Sequence, residues 1–222
     1  MSSPRLAQLR DTLRGLPALT GDLPDFDPYA VSEDPVEVFA DWLLEAAEAG
    51  VPEPHAMAVS TVGPDGVPSA RVVLLTDVVD GGWQFATDGR STKVRDLAAD
   101  PRVAASFYWQ PLGRQVRLSG TAHVLDARAC AADFLSRSPS ARAAALASRP
   151  GELLESAEAM AAAVVAARSQ VDRQPGLVLP SWQVWSVVPH EVEFWQGDSS
   201  RAHMRLIYRW ESGRWDRRLL WP

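Results

Sequence analysis

Apolar and polar side chains alternate along GRQVRLSGTAHVL, residues 113–125. Val116 and Leu118 share one face, while Gln115, Arg117 and Ser119 share the other. A period of two predicts a strand with one wet side. The runs HAMAVSTV, VPSARVVLLTDV, WQFATD and RVAASFYW predict further strands, with GPDG and DGG as the turns between the first three. VPSARVVLLT differs from the rest. Arg71, Val73 and Leu75 lie on one face and Val72, Leu74 and Thr76 on the other, so both faces are largely apolar. That pattern predicts a strand buried on both sides. The last third returns to strands in SWQVWSVV, EVEFWQ, RAHMRLIYRW and, after the turn ESG, RWDRRLLWP.

Helical spacing takes over elsewhere. MSSPRLAQLRDTLRGL predicts a short amphipathic helix. In DPVEVFADWLLEAAEAG, Asp34 can cap, Pro35 suits the first turn and Gly50 ends the run. A short helix is predicted from Ser91, and an alanine-rich helical stretch from about Asp126 to Ser169. Strands joined by tight turns, with helices inserted between them, predict a mainly β chain with helical additions (α+β), an antiparallel barrel or sandwich. Residues 1–34 are expected to form a lead segment, rich in Pro, Asp and Gly from residue 16. Residues 35–222 are expected to form a single domain with a helical insertion at about 126–170.

Charge narrows the function. A net charge of -6 over 222 residues argues against a general nucleic-acid binder. No apolar run is long enough to predict a membrane span, and the N-terminus lacks the apolar core of a signal peptide. The single Cys130 allows no disulfide within the chain, which fits a cytoplasmic protein. The histidines at 55, 123, 190 and 203 show no metal-ligand spacing, so no metal is expected.

Against this acidic background the placement of cations carries information. Lys93 is the only lysine among 22 basic residues. It falls in TDGRSTKVRDL, where Thr87, Ser91 and Thr92 offer hydroxyls and the helix start offers free N–H groups. Either an anion binds there, or this is a capped surface helix with an exposed lysine. Arg71 lies in an apolar strand and needs a partner, because an unpaired buried charge is very costly. That partner is an acidic side chain or a phosphate or carboxylate ligand. In RAHMRLIY, a strand would put Arg201, His203 and Arg205 side by side, with Ala202, Met204 and Leu206 behind them. Such a cluster is either a solvated face or a site for an anion.

Taken together, AMAVSTVGPDGVPSARVVLL, FATDGRSTK, DPRVAASFYW, RQVRLSG and VEFWQGDSSRAHMR resemble the pyridoxamine 5'-phosphate oxidase family, in order from about Asp34 to Pro222. The resemblance implies a split β-barrel, a homodimer, and FMN held at the dimer interface. Arg71 and Lys93, helped by Thr87, Ser91 and Thr92, would hold the FMN phosphate. Val72, Leu74 and Leu75 would run along the flavin, and Gln115, Trp195 and Arg205 would complete its site, partly from the second subunit. Arg201 and His203 would act on the substrate over the flavin ring, with Thr76 and Arg137 also lining the substrate. The implied reaction is hydride transfer to FMN from a small aromatic nitrogen heterocycle. Dioxygen then reoxidises the flavin and yields hydrogen peroxide.

Three positions depart from the family pattern for phosphorylated substrates. Thr76 stands where a lysine is usual, Asp133 where a tyrosine is, and Ala141 near a serine. Charge-assisted contacts contribute about 1.5–3 kcal/mol each, so losing them weakens a phosphorylated ligand. The stretches DPVEVFADWLLEAAEAGVPEPHAMAVST and FYWQ also resemble the phenazine-biosynthesis oxidases of the family. A non-phosphorylated, phenazine-like substrate is therefore expected, with pyridoxine or pyridoxamine 5'-phosphate as the alternative. A deazaflavin-dependent reductase or a non-catalytic flavin-binding protein is the alternative of another class.

Overall fold

A computed structural model describes residues 3–222. Two helices come first: α1 (Pro4–Gly15), none of whose residues is buried, and α2 (Pro35–Glu48). Asp34 caps α2 by accepting from the Val36 N–H at 2.9 Å. Helix α2 buries Val38, Phe39, Trp42 and Ala46, and the Phe39 ring lies 4.9 Å from Phe107 and 5.5 Å from Trp83. The strands are β1 (Ala56–Val62), β2 (Pro68–Val79), β3 (Gly82–Asp88), β4 (Arg102–Trp109), β5 (Arg114–Val124), β6 (Trp182–Gln196), β7 (Met204–Glu211) and β8 (Arg214–Leu220). Helix α3 (Thr92–Ala99) follows β3, and α4 (Ala127–Ser136), α5 (Pro139–Ala147) and α6 (Ala157–Arg173) lie between β5 and β6.

All strand pairs are antiparallel, in the order β3-β2-β1-β4-β5-β6-β7-β8. A further pairing of β3 with β6 closes the first six strands into a barrel. The expected antiparallel barrel with helical additions is thus observed, and β7 and β8 extend it as a flap of sheet. Its centre is aromatic and aliphatic: Met57, Val59, Trp83, Phe85, Phe107 and Val187 are all fully buried.

Three local expectations differ from the structure. SWQVWSVV and EVEFWQ form one continuous strand, β6, that serves β3 and β5 with its first half and β5 and β7 with its second. Pro189 lacks an N–H for the ladder, but it sits where the register with β5 shifts between Ser119 and Gly120. Gly120 permits that crossing, since a Cβ there would stand 2.2 Å from the Val188 carbonyl oxygen. Secondly, β2 is not buried on both sides within one chain. Leu75 is buried, yet Val72 is 67% exposed and Leu74 45%. Thirdly, RAHMRLIYRW is a strand only from Met204. The Asp198 carboxylate accepts from the N–H groups of Ser200 and Ala202 and from the Ser200 hydroxyl, so residues 198–202 form a turn instead. Arg201 sits in that turn with φ 73°.

Candidate functional site

The alternation of β2 sends neighbouring residues to two different places. Arg71 turns inward, where its guanidinium meets several acceptors. Nη1 donates to the Thr61 hydroxyl at 2.7 Å and to the carbonyls of Ser69 and Val59 at 3.1 and 3.3 Å. Nη2 donates to Ser69 Oγ at 2.7 Å and lies 3.7 Å from Asp96 Oδ2. Burial pushes the Arg71 pKa down, and Asp96 acts the other way. The acidic partner allowed for by the sequence is therefore present, on α3.

Lys93 stands beside this group on α3. Its ammonium donates to Thr87 Oγ1 at 3.0 Å and to Ser91 Oγ at 3.3 Å, and both hydroxyl residues are buried. Among the described residues no carboxylate pairs with it. Burial lowers the Lys93 pKa from its ordinary value, the Arg71 charge lowers it further, and Asp88 offsets this only in part. Asp88 is itself held by Arg90, at 2.6 Å, so Arg90 bridges Asp88 and the Ser148 carbonyl and does not join Lys93. Thr92 lies on the exposed side and accepts from Arg95 at 3.2 Å. What remains is a half-buried ammonium among neutral hydroxyls at the first turn of a helix, next to a second cation. This donor set suits a phosphate.

The outward residues of β2 begin a second feature. Val72, Ala58, Ser106, Arg117 and Glu193 are successive cross-strand partners, so they form one row over β2, β1, β4, β5 and β6. Small side chains on that face (Ala58, Ser60, Ala104 and Ser106) leave a groove of about 460 Å³ that Gln115 and Arg117 border. Gln115, Trp195 and Arg205 form a parallel row, paired in register across β5, β6 and β7.

At the end of this row the cations are handled differently. Arg205 grips the buried carboxylate of Glu193 through Nε at 3.2 Å and Nη2 at 2.9 Å, and donates to the Trp221 carbonyl at 2.8 Å. Arg117 approaches the same carboxylate at 3.6 Å. His203 packs its ring 5.0 Å from that of Trp195, and its Nδ1 accepts from the Asp198 N–H at 3.0 Å. That bond places the neutral imidazole proton on Nε2. Arg201 is exposed at the turn, and Ala202 is exposed too, not packed behind it.

The expected substrate residues lie on several elements. Thr76 sits at the β2 bulge and donates to the Gln84 carbonyl at 3.2 Å. Arg137, just after α4, stacks 4.5 Å over the Trp182 ring, and its Nε is buried without a partner. Asp133 accepts from the Trp182 indole N–H at 2.7 Å, so this carboxylate is tied to the platform beneath Arg137. No hydrogen bond or ion pair among the described residues joins the Arg71–Lys93 cradle to the Gln115–Trp195–Arg205 row. Asp96, Thr61, Glu193 and Asp198 escaped sequence reasoning. Only the partners that the fold brings to them give them meaning, although Glu193 shares the alternation of VEFWQ with Trp195.

Comparison with known proteins supplies a frame. Residues 43–196 match the family described as pyridoxamine 5'-phosphate oxidase. Residues 182–222 match the pyridoxine 5'-phosphate oxidase C-terminal dimerisation region. A pyridoxine/pyridoxamine 5'-phosphate oxidase of Thermosynechococcus vestitus is 41% identical over 221 residues, 98% of this chain and 99% of that one. One of the same name from Myxococcus xanthus is 40% identical over 193 residues, 86% and 93% of the two chains. Among solved structures, PhzG from Burkholderia lata 383, in complex with tetrahydrophenazine-1-carboxylic acid, gives a TM-score of 0.83 at 29% identity and covers 91% of this chain and 100% of that one. A pyridoxamine 5'-phosphate oxidase-related, FMN-binding protein from Nostoc punctiforme shares the fold, with a TM-score of 0.71 at 18% identity over 86% and 99% of the two chains.

Proposed function

Because the chain belongs to the pyridoxamine 5'-phosphate oxidase family, we propose that it is an FMN-dependent oxidase whose substrate is a small aromatic nitrogen heterocycle. The observation that carries the cofactor is Lys93, a half-buried ammonium with only hydroxyl partners. An anion beside it would offset both the burial and the neighbouring Arg71 charge that depress its pKa. Arg71, Lys93, Thr87 and Ser91 would hold the FMN phosphate, and the outer face with Val72, Leu74 and Gln115 would face the ring system. When bound, FMN supplies the hydride acceptor that dioxygen restores with release of hydrogen peroxide. His203, with its proton on Nε2, would donate a hydrogen bond to the substrate, and Arg201 would add an exposed positive charge. Purified protein is expected to be yellow and to release FMN on denaturation. Colourless protein that takes up no added FMN would sink this reading.

We propose a homodimer for the same site. The phosphate cradle and the Gln115–Trp195–Arg205 row are unlinked within one chain, and the apolar outer residues of β2 lie exposed beside a groove of small side chains. Two copies packed on this face would bury Val72 and Leu74 and unite the halves. Light scattering should give twice the 24.2 kDa chain mass. A monomer with full FMN content would refute the dimer.

For the substrate we favour a non-phosphorylated, carboxylated heterocycle. Thr76 is occupied by a backbone carbonyl, Asp133 by Trp182, and Ala141 has no polar group, which leaves Arg137 as the remaining anion ligand in this set. The PhzG likeness points the same way. The second reading, pyridoxine or pyridoxamine 5'-phosphate oxidation, is favoured by relatives of that name at about 40% identity. Oxygen uptake measured side by side on a dihydrophenazine carboxylic acid and on pyridoxine 5'-phosphate separates them. Faster turnover of the phosphate would decide against our preference.

A further inference from the structure

We infer that Asp96 is a positioning residue for the cofactor phosphate: it acts through Thr61 to fix the Arg71 guanidinium in one orientation. This rests on the reading of Arg71 and Lys93 as an FMN phosphate cradle. The chain of contacts is short and directional. Arg71 Nη1 donates to Thr61 Oγ1 at 2.7 Å, and Thr61 donates its single hydroxyl proton to Asp96 Oδ2 at 2.7 Å. Thr61 is 1% exposed and Asp96 4%, so neither competes with solvent. Asp96 Oδ2 also stands 3.7 Å from Arg71 Nη2.

The geometry decides which edge of Arg71 meets a ligand. Both terminal nitrogens already face protein acceptors, from Val59, Thr61, Ser69 and Asp96. The Nε–H has no protein acceptor among the described residues. A phosphate beside Lys93 would therefore meet the N–H groups left open on a guanidinium that is held in place beforehand, not an unrestrained fork. Such a fork would have to give up side-chain freedom on binding, whereas this one has given it up in the fold. Part of the Arg71 charge is neutralised in exchange, which leaves Lys93 as the principal cation for the phosphate. Asp96 is buried behind Thr61 and is not a phosphate ligand.

The test compares FMN with riboflavin, which has the same ring and no phosphate, by quenching of flavin fluorescence in wild-type, Asp96→Asn and Asp96→Ala proteins. Asp96→Ala is expected to weaken FMN about tenfold while riboflavin binding stays within about twofold. Asp96→Asn keeps an acceptor for Thr61 and should recover most of the loss. Should Asp96→Ala fail to fold, Thr61→Val and Thr61→Ser serve in its place, with the phosphate-selective loss confined to valine. Equal FMN affinity across these variants overturns the inference. So does a parallel loss of FMN and riboflavin, which a merely structural role would give. A wild-type protein that binds riboflavin and FMN alike would overturn the phosphate cradle itself, and that result is distinct from either.

Discussion

Two of the groups of cations in this molecule are built on opposite principles. At the barrel end, Lys93 rests on the hydroxyls of Thr87 and Ser91, and burial holds its pKa below the ordinary value. On the β5–β6–β7 face, Arg205 and Arg117 share the buried carboxylate of Glu193, and the hydrogen bonds that Arg205 donates to it raise the Arg205 pKa. A cation that is partly desolvated and left without a counter-ion is a cost to the fold unless a ligand repays it. A cation gripped by a buried carboxylate is part of the frame. The cluster in RAHMR, the more conspicuous in sequence, is thus largely architecture at Arg205, while the single lysine carries the unmet charge.

Substitutions should separate the two kinds. Replacing Lys93 with alanine should raise the FMN dissociation constant about tenfold to a hundredfold, the loss of one charge-assisted contact. The same change should leave the melting temperature of the unliganded protein level or higher, because a depressed pKa marks a charge the fold does not welcome. A clear drop in melting temperature with FMN affinity intact would reverse the assignment. Glu193→Gln should do the opposite. It should cost about 1–2 kcal/mol, a fall of roughly 2–8 °C in Tm measured by calorimetry, because it weakens two ion pairs around a buried group.

The pH dependence follows with its sign. The Lys93 pKa is lowered from 10.5, so the ammonium is present below the lowered value and lost above it. FMN affinity should hold near neutrality and fall as pH rises through that lowered value, before an ordinary lysine titrates. In the same window an unfolded chain still binds this proton and the unliganded fold does not. Stability of the unliganded protein should therefore rise with pH there. Lys93→Ala should flatten both trends in binding titrations and in thermal melts. The smallest expected effect concerns His203. Nitrogen NMR of the neutral imidazole should show the proton on Nε2, and a spectrum with the proton on Nδ1 would remove the Asp198 contact from the site.

Much of the architecture was legible beforehand, because periodicity reflects which side chains must leave water. The alternation in RQVRLSG, the helical spacing around Trp42 and the turns GPDG and ESG each matched an observed element. The pattern of β2 was misleading for a physical reason. Apolar side chains on both faces predict burial, but sequence does not say whether the cover comes from the same chain. The join of SWQVWSVV to EVEFWQ was hidden because proline signals a break, and only the bulge opposite Gly120 shows how the strand continues.

By itself the sequence determined most of the strands, the alternation along them and the residue types available for chemistry, since these depend on neighbours two to four positions away. It singled out Arg71 as a cation in need of a partner and Lys93 as the single lysine of the chain. The partners were decided only by tertiary structure. Asp96 reaches Arg71 across 25 positions, and Glu193 reaches Arg117 across 76, as the difference of their numbers shows. Whether a charge is matched or left waiting depends on distances of a few ångströms between elements remote in the chain, and Coulomb energy and desolvation are set by those distances.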